Sequence, residues 1–403
     1  MDAKKKTSTE SNEYLLKREL KAELESLLSW WMFHMADLEN GGFYGRMDGR
    51  GKRFPKANKS IILNTRILWT FAAAARLTKK PAYKKMADRA FRYISTCFLD
   101  SVEDGVFWML DFRGNPIQTK KQIYAQAFAI YAFAEYYLLT KNKTALNHAK
   151  GLFQLIEKHS SDKKRGGYFE AFSSNWQGLE DLRLSEKDQN AAKTMNTHLH
   201  ILEAYTMLFK AKSDRDTRVA LERLIECFLE KFIDKQTGHL KLFFDENWNP
   251  KSDSISFGHD IECSWLLVEA AGVLGEKKLE ERVVQTALKM ADVTLREGLD
   301  RDGGLFNEAS PGGIVDTDKH WWPQAEAVVG FWNAWQLSKE VKFQQAAMRS
   351  WVFIEDFLRD ENHGEWHWRV NRHGKPILSE DKAGPWKAPY HNGRMCLEMV
   401  KRL

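Results

Sequence analysis

Only four cysteines serve the 403 residues, and no two of them form a CxxC pair. Cys97, Cys227, Cys263 and Cys396 are too scattered for a zinc cluster or a disulfide framework, a usage that fits a reducing compartment. Long apolar runs are also missing. No stretch of about eighteen apolar residues exists, so the sequence offers no membrane span. The opening MDAKKKTSTESNEYLLKREL has no apolar core and does not read as a secretory signal, so the expected location is the cytoplasm. Charge of one sign is lacking: 61 basic against 55 acidic residues leave +6, which excludes a nucleic-acid binder with clustered cations. The Lys4 to Lys6 run belongs to a polar stretch, residues 1–12, read as a flexible tail. No GxGxxG follows a strand, no phosphate-loop sequence occurs, and no HExxH spacing points to zinc.

Aromatics, by contrast, are abundant at 12%, with 15 tryptophans. A flat apolar face with a polar edge suits sugar rings, although a large aromatic core would use the same residues. A repeat organises the chain. Glycine-led segments recur at Gly41-Gly42-Phe43, Gly105-Val106-Phe107, Gly166-Gly167-Tyr168, Gly238-His239-Leu240, Gly303-Gly304-Leu305 and Gly364-Glu365-Trp366. An acidic residue precedes each: Asp37, Asp100, Asp162, Asp234, Asp300 and Asp360. The pattern predicts a turn entering a short strand, with glycine supplying positive φ and the carboxylate bonding the turn backbone. Second turns such as Asp111 to Pro116 and Asn371 to Pro376 extend several of these into hairpins.

Helical patterns fill the intervals. Ile67–Ala75, Ala125–Leu139, His200–Phe209, Cys263–Leu274, Ala325–Leu337 and Arg394–Val400 are apolar on nearly every side. Tyr83–Phe98, Ala149–His159, Thr217–Ile233, Leu279–Glu297 and Val341–Leu358 are amphipathic. Six units of a buried and an outer helix predict an all-α single domain over 1–403, an (α/α)6 barrel with short β-hairpin excursions at one end. A linear helical solenoid is the architectural alternative.

In the barrel, the starts of the inner helices converge. They carry Asn64 and Arg66; Tyr124 and Gln126; Asn196, His198 and His200; His259 and Glu262; Trp321, Trp322, Gln324 and Glu326; and His391 and Arg394, with Trp386 just before. His198 and His200 face about 200° apart, so one points inward. His200 is favoured, leaving His198 structural. A metal on His200, His259, His391 and Glu262 would lack any familiar ligand spacing. Glycoside hydrolysis would need a carboxylate pair, for which Glu262, Glu326, Asp188 and Glu308 are available. The wealth of histidine instead suits proton removal beside a carbonyl, with arginine stabilising an enolate oxygen.

The stretches LNTRILWTFAAAARL, KKQIYAQAFAIYAFAE, AKTMNTHLHILEAYT, SFGHDIECSWLL, DTDKHWWPQAEAVVGF and GPWKAPYHNGR resemble the N-acylglucosamine 2-epimerase superfamily, and most closely its cellobiose 2-epimerase branch. The resemblance implies cofactor-free, reversible C2 epimerisation of the reducing-end glucose of β-1,4 disaccharides through ring opening and a cis-enediolate. It assigns the two acid/base roles to His259 and His391. Arg66 and His200 would stabilise the intermediate. Tyr124, Asn196, Glu262, Trp322 and Glu326 would position the reacting sugar. Trp386 would stack on the second sugar, with Asp188 binding hydroxyls there, and Glu308 is a further substrate-binding candidate. No metal, nucleic acid or membrane partner is implied, and the protein would be a monomer or homodimer. Ala388, where many of the branch have glycine, and the loop 174–195 bear on the second-sugar site. A mannose epimerase or aldose–ketose isomerase remains an alternative, with a glycoside hydrolase or a non-catalytic sugar-binding protein further off.

Overall fold

The computed structural model describes residues 2–403, with side chains from residue 13 on; within the tail expected over 1–12, residues 2–12 are helical backbone belonging to the first helix. The described residues are mostly helical. In chain order the helices are α1 (Asp2–His34), α2 (Ile61–Thr78), α3 (Pro81–Tyr93), α4 (Ile123–Thr140), α5 (Lys143–Leu155), α6 (Met195–Ala211), α7 (Arg215–Cys227), α8 (Phe257–Leu274), α9 (Lys277–Val293), α10 (Trp321–Ser338), α11 (Val341–Phe353) and α12 (His391–Arg402). Even-numbered helices are buried nearly all round; in α4 every residue from Ile123 to Tyr136 is inside. Odd-numbered helices bury one stripe, as Tyr83, Ala87, Ala90 and Phe91 do in α3, which marks them as an outer layer.

Packing follows the sequence. Each buried helix touches the next buried one, from α2 through α4, α6, α8 and α10 to α12, and α12 returns to α2. Each buried helix also packs on the outer helix that follows it. For α12 the cover is α1, the sixth outer helix, which the sequence patterns above did not pick out. Its Leu16, Leu20, Leu24, Leu27, Leu28 and Trp31 are buried. Five outer helices, α3, α5, α7, α9 and α11, run into five-residue π-helical turns, Ile94–Phe98, Ile156–Ser160, Phe228–Phe232, Thr294–Gly298 and Ile354–Leu358.

Six small antiparallel sheets join neighbouring units. The strand before a buried helix pairs with the strand of the following unit: Lys59 with Leu110, Lys121 with Phe172, Lys193 with Phe244, Ile255 with Ala309 and Lys319 with Val370. Met47 pairs with Ala383, linking the last unit to the first.

The acidic residues of the repeat hold buried lysines. Lys59–Asp37, Lys121–Asp100, Lys193–Asp162, Lys319–Asp300 and Lys382–Asp360 are ion pairs of 2.6–2.8 Å in which each lysine side chain is essentially inaccessible. Each carboxylate also accepts backbone N–H bonds from its turn, as Asp162 does from Lys164 and Arg165. The ammonium therefore ties a turn to the strand that launches the next buried helix. In the fourth unit Ile255 stands where the others have lysine, and Asp234 pairs with the half-exposed Lys241 instead.

Candidate active site

The helix register decides which side chains meet. The fourth residue of α4, α6, α8 and α10 clamps the glycine-led strand: Gln126 Oε1 accepts from Val106 N–H, His198 Nε2 from Tyr168 N–H, Asp260 Oδ1 from Leu240 N–H and Gln324 Oε1 from Leu305 N–H. His198 is thus structural, with Nδ1 against the Thr194 carbonyl, as expected. The second and sixth residues of these helices lie on another face, four apart. Tyr124, Asn196 and Trp322 hold the second position; Arg66, on α2, His200, Glu262 and Glu326 hold the sixth.

A cavity of ≈ 290 Å³ gathers this face. Ten of the anticipated residues line it: Arg66, Tyr124, Asn196, His200, His259, Glu262, Trp321, Trp322, Trp386 and His391. Glu326 lies behind the wall, where its Oε1 is 2.7 Å from His391 Nδ1. Asp188 is turned into its own loop, accepting from the backbone N–H and hydroxyl of Ser185 at 2.9 Å. Glu308 is exposed in the strand opposite Ser256 and does not line the cavity. Lining residues outside the sequence expectation are Lys187, His320, Trp368, Arg369 and Glu380. They come from loops and strands, where no helical period signals a facing direction.

The two histidines differ in their surroundings. The indole of Trp322 lies beside both, 4.7 Å from the His259 ring and 5.5 Å from the His391 ring. His391 Nδ1 faces the Glu326 carboxylate, which also accepts from Trp265 Nε1 at 3.0 Å and from Arg394 at 2.6 Å. A carboxylate is an acceptor, so Nδ1 carries the proton and Nε2 has the free lone pair. His259 Nδ1 has a hydroxyl neighbour instead, Ser256 Oγ at 2.8 Å. Burial holds both imidazoles below their ordinary range. His259 is pushed down to about 3, with His200 adding to the effect. His391 is pushed well down, Arg66 and Arg394 reinforcing burial. Both rings are therefore neutral bases at neutral pH.

Beneath them lies a buried charge cluster. The Arg394 guanidinium donates to Glu203, Glu262 and Glu326. Burial raises Glu262 to about 7, and the Glu326 charge pushes the same way. Burial opposes ionisation of Glu203, but Arg394 and His200 outweigh it and hold Glu203 at about 2. His200 Nδ1 is 3.1 Å from Glu203, a residue three positions along the same helix that this spacing could have flagged. Donor atoms of Glu262, Glu326 and His391 come within 4.8 Å of one another, a grouping of metal-ligand type. The Arg394 guanidinium already supplies a cation to both carboxylates. Arg66 donates to the Trp386 carbonyl and, at 2.9 Å, to the Tyr124 hydroxyl, and stacks over Phe128 and Tyr390. It thereby fixes the segment that carries Trp386 over the cavity. Among the described residues, no helix is long and apolar enough to cross a membrane.

This arrangement supplies two neutral imidazoles, a fixed guanidinium and aromatic walls, a set for moving protons at carbon beside a carbonyl. The chain is 48% identical over 388 residues to a cellobiose 2-epimerase of Bacteroides fragilis, covering 96% of this chain and 99% of that one. It is 40% identical to a cellobiose 2-epimerase of Dictyoglomus turgidum over 96% and 99% of the two chains. The solved cellobiose 2-epimerase of Bacillus thermoamylovorans B4167 superposes with a TM-score of 0.93 at 40% identity, covering 97% of this chain and 100% of that one. The family model described as N-acylglucosamine 2-epimerase matches residues 42–393, and the chain belongs to that family of carbohydrate epimerases.

Proposed function

We propose that the protein reversibly epimerises C2 of the reducing-end glucose of β-1,4-linked disaccharides, converting cellobiose to glucosyl-mannose and lactose to epilactose. The reading rests on one observation above all: His259 and His391 line a single cavity beside one indole. The likeness to cellobiose 2-epimerases over nearly the whole chain supports the substrate class. An (α/α)6 barrel is the architecture that fits the return of α12 to α2 and of the last strand to the first.

In this mechanism the open-chain aldose lies with C2 between the imidazoles. His391 Nε2 takes the C2 proton of the gluco form. The C–H electron pair becomes the C1–C2 double bond, and the carbonyl pair moves to O1. Arg66 and His200 face that oxygen and stabilise its charge. Rotation about C2–C3 then presents the other face, and His259 delivers a proton to C2 as the carbonyl reforms. Burial alone disfavours the His259 imidazolium, but a facing enediolate favours it, tying its protonation to the presence of the intermediate. Water at the cavity mouth resets both rings. Tyr124, Asn196, Glu262 and Trp322 hold the reacting sugar, Glu326 orients His391, and Trp386 stacks on the second ring. Asp188 and Glu308 stand outside the cavity as placed here, and their contact with the second sugar requires the 174–195 loop and the rim strand to approach it.

Incubation with cellobiose, lactose, mannose and N-acetylglucosamine in D₂O, followed by NMR, tests the proposal. Deuterium at C2 with a gluco-to-manno product from the disaccharides is the expected result. Ketose products would transfer the assignment to an isomerase, and released monosaccharide to a hydrolase. Mannose turning over as fast as cellobiose would make it a monosaccharide enzyme.

A further inference from the structure

The residue just before the bridging position of each glycine-led strand is Gly42, Gly105, Gly167, His239, Gly304 or Glu365. Only the fourth and sixth units carry a side chain there. Those are the units whose buried helices bear His259 and His391.

The exchange is structurally matched. A Cβ at Gly105 would lie 2.9 Å from the Trp176 ring and 3.0 Å from Gln126 Oε1, and one at Gly167 would lie 2.6 Å from the Trp248 ring and 2.9 Å from His198 Nε2, so a tryptophan and a long clamping side chain together already fill the space. In the fourth unit the clamping residue is short, Asp260; in the sixth the corresponding Asn392 makes no bond to the strand amide, and Trp366 N–H is accepted instead by Glu365 Oε1 at 2.8 Å. The space is filled from the other side. His239 Nδ1 is 2.7 Å from Asp260 Oδ2, and its Nε2 is 3.1 Å from Glu297. Glu365 Oε1 accepts from Asn392 Nδ2 at 2.7 Å and from Lys387 Nζ at 2.9 Å, and Oε2 accepts from Trp31 Nε1. The first unit also has a short residue, Asn64, but there the Tyr93 ring lies against Gly42 and Asn64 turns to the Ser60 carbonyl.

Asp260 immediately follows His259, and Asn392 immediately follows His391. Glu365 makes its contacts from φ +60°, a left-handed backbone that a glycine would adopt without strain. We propose that His239 and Glu365 are positioning residues, each anchoring the helix turn that presents one of the two bases. The proposal rests on the reading of His259 and His391 as the acid/base pair. It assigns one anchor to each face of the sugar: His239 serves the base that delivers the proton to the manno face, and Glu365 serves the base that acts on the gluco face. Lys387 shares Glu365, so the same carboxylate also holds the loop between Trp386 and His391.

The test restores the glycine of the repeat, with His239→Gly and Glu365→Gly, and reads partitioning of the intermediate in D₂O. Each variant is expected to lower kcat about tenfold with KM within about twofold, as for a group acting through the transition state. The distinguishing readout is deuterium at C2 of recovered substrate relative to epimer formed. His239→Gly raises this ratio severalfold from the gluco sugar, because the intermediate returns through His391 more often than it is captured by His259. Glu365→Gly raises it severalfold from the manno sugar, for the mirror-image reason. Gln126→Leu, which breaks a clamp in a unit without a base, lowers the melting temperature and leaves both ratios as in the wild type. If either glycine variant does not fold, His239→Gln and Glu365→Gln carry the same comparison with smaller shifts of the same sign. Ratios unchanged from both epimers in folded variants would overturn the positioning role while leaving the epimerase reading intact. Absence of any C2 exchange in the wild-type protein would overturn the epimerase reading, and the proposal with it.

Discussion

The fourth and sixth junctions hold corresponding histidines in unlike settings. At the sixth, His391 leans on the Glu326 carboxylate within a cluster that includes Arg394, and two buried lysines, Lys382 and Lys387, tie down the approach. At the fourth, His259 has the Ser256 hydroxyl at Nδ1, and the buried lysine of the other units is replaced by Ile255. A carboxylate partner stabilises an imidazolium and a hydroxyl does so far less. The same register therefore yields a ring suited to accepting a proton and a ring suited to giving one up. In the proposed mechanism, what separates the two roles is the partner at each Nδ1, Glu326 or Ser256.

Deleting the rings breaks the comparison most severely. His391→Ala and His259→Ala should each lower epimer formation by about 10³-fold or more. The residual chemistry should differ: His259→Ala still exchanges C2 of the gluco sugar with solvent, and His391→Ala still exchanges the manno sugar, as NMR in D₂O would record. Replacing the partners sharpens it. Glu326→Gln should cost about a hundredfold in kcat, and Ser256→Ala about tenfold, with Ser256→Thr close to wild type. Equal losses for Glu326→Gln and Ser256→Ala would erase the distinction drawn here. Trp386→Ala should act on binding alone, raising the disaccharide KM about tenfold while leaving mannose turnover near wild type, since an aromatic stack is worth roughly 1 kcal/mol.

The smallest effect separates the junctions by the sign of their pH response. Burial works against ionised Asp360, but Lys382 outweighs it and holds the carboxyl at about 2, below its unfolded value of 3.8. That contribution is present above about pH 4 and is lost as pH falls toward 2. Burial also works against charged His239, but Asp260, and after it Glu297, raise its pKa above 6.5. Its contribution is full below 6.5 and is lost as pH rises through the raised value. Amide exchange should therefore loosen at Trp366 on acidification and at Leu240 on alkalinisation. Both amides responding in the same direction would contradict this account.

Much of the inner architecture was legible in the sequence because buried helices leave an apolar pattern on every side, as in Ile123–Tyr136. The converging residues were legible because they fall within the first six positions of each buried helix. The outer helix α1 was not, since its buried leucines alternate with charged residues behind a polar stretch. The lysine–aspartate pairs escaped because lysine is ordinarily an exposed residue and these partners lie 19–31 positions apart. Removing one partner, as in Lys193→Met, leaves Asp162 buried without its counter-ion and should cost about 3–5 kcal/mol in denaturant unfolding. Asp188 and Glu308 lie outside the helical pattern, and the Ser185 turn around the one and the rim strand carrying the other set them apart from the cavity.

The left-handed backbone at Glu365 has a practical consequence. An engineer seeking heat tolerance would pick this position first, since glycine there would ease the main chain. The same change would release Asn392 and Lys387 together, and with them the grip on the segment leading into α12. At this corner of the molecule, a more comfortable backbone and a well-aimed imidazole are competing outcomes of a single side chain.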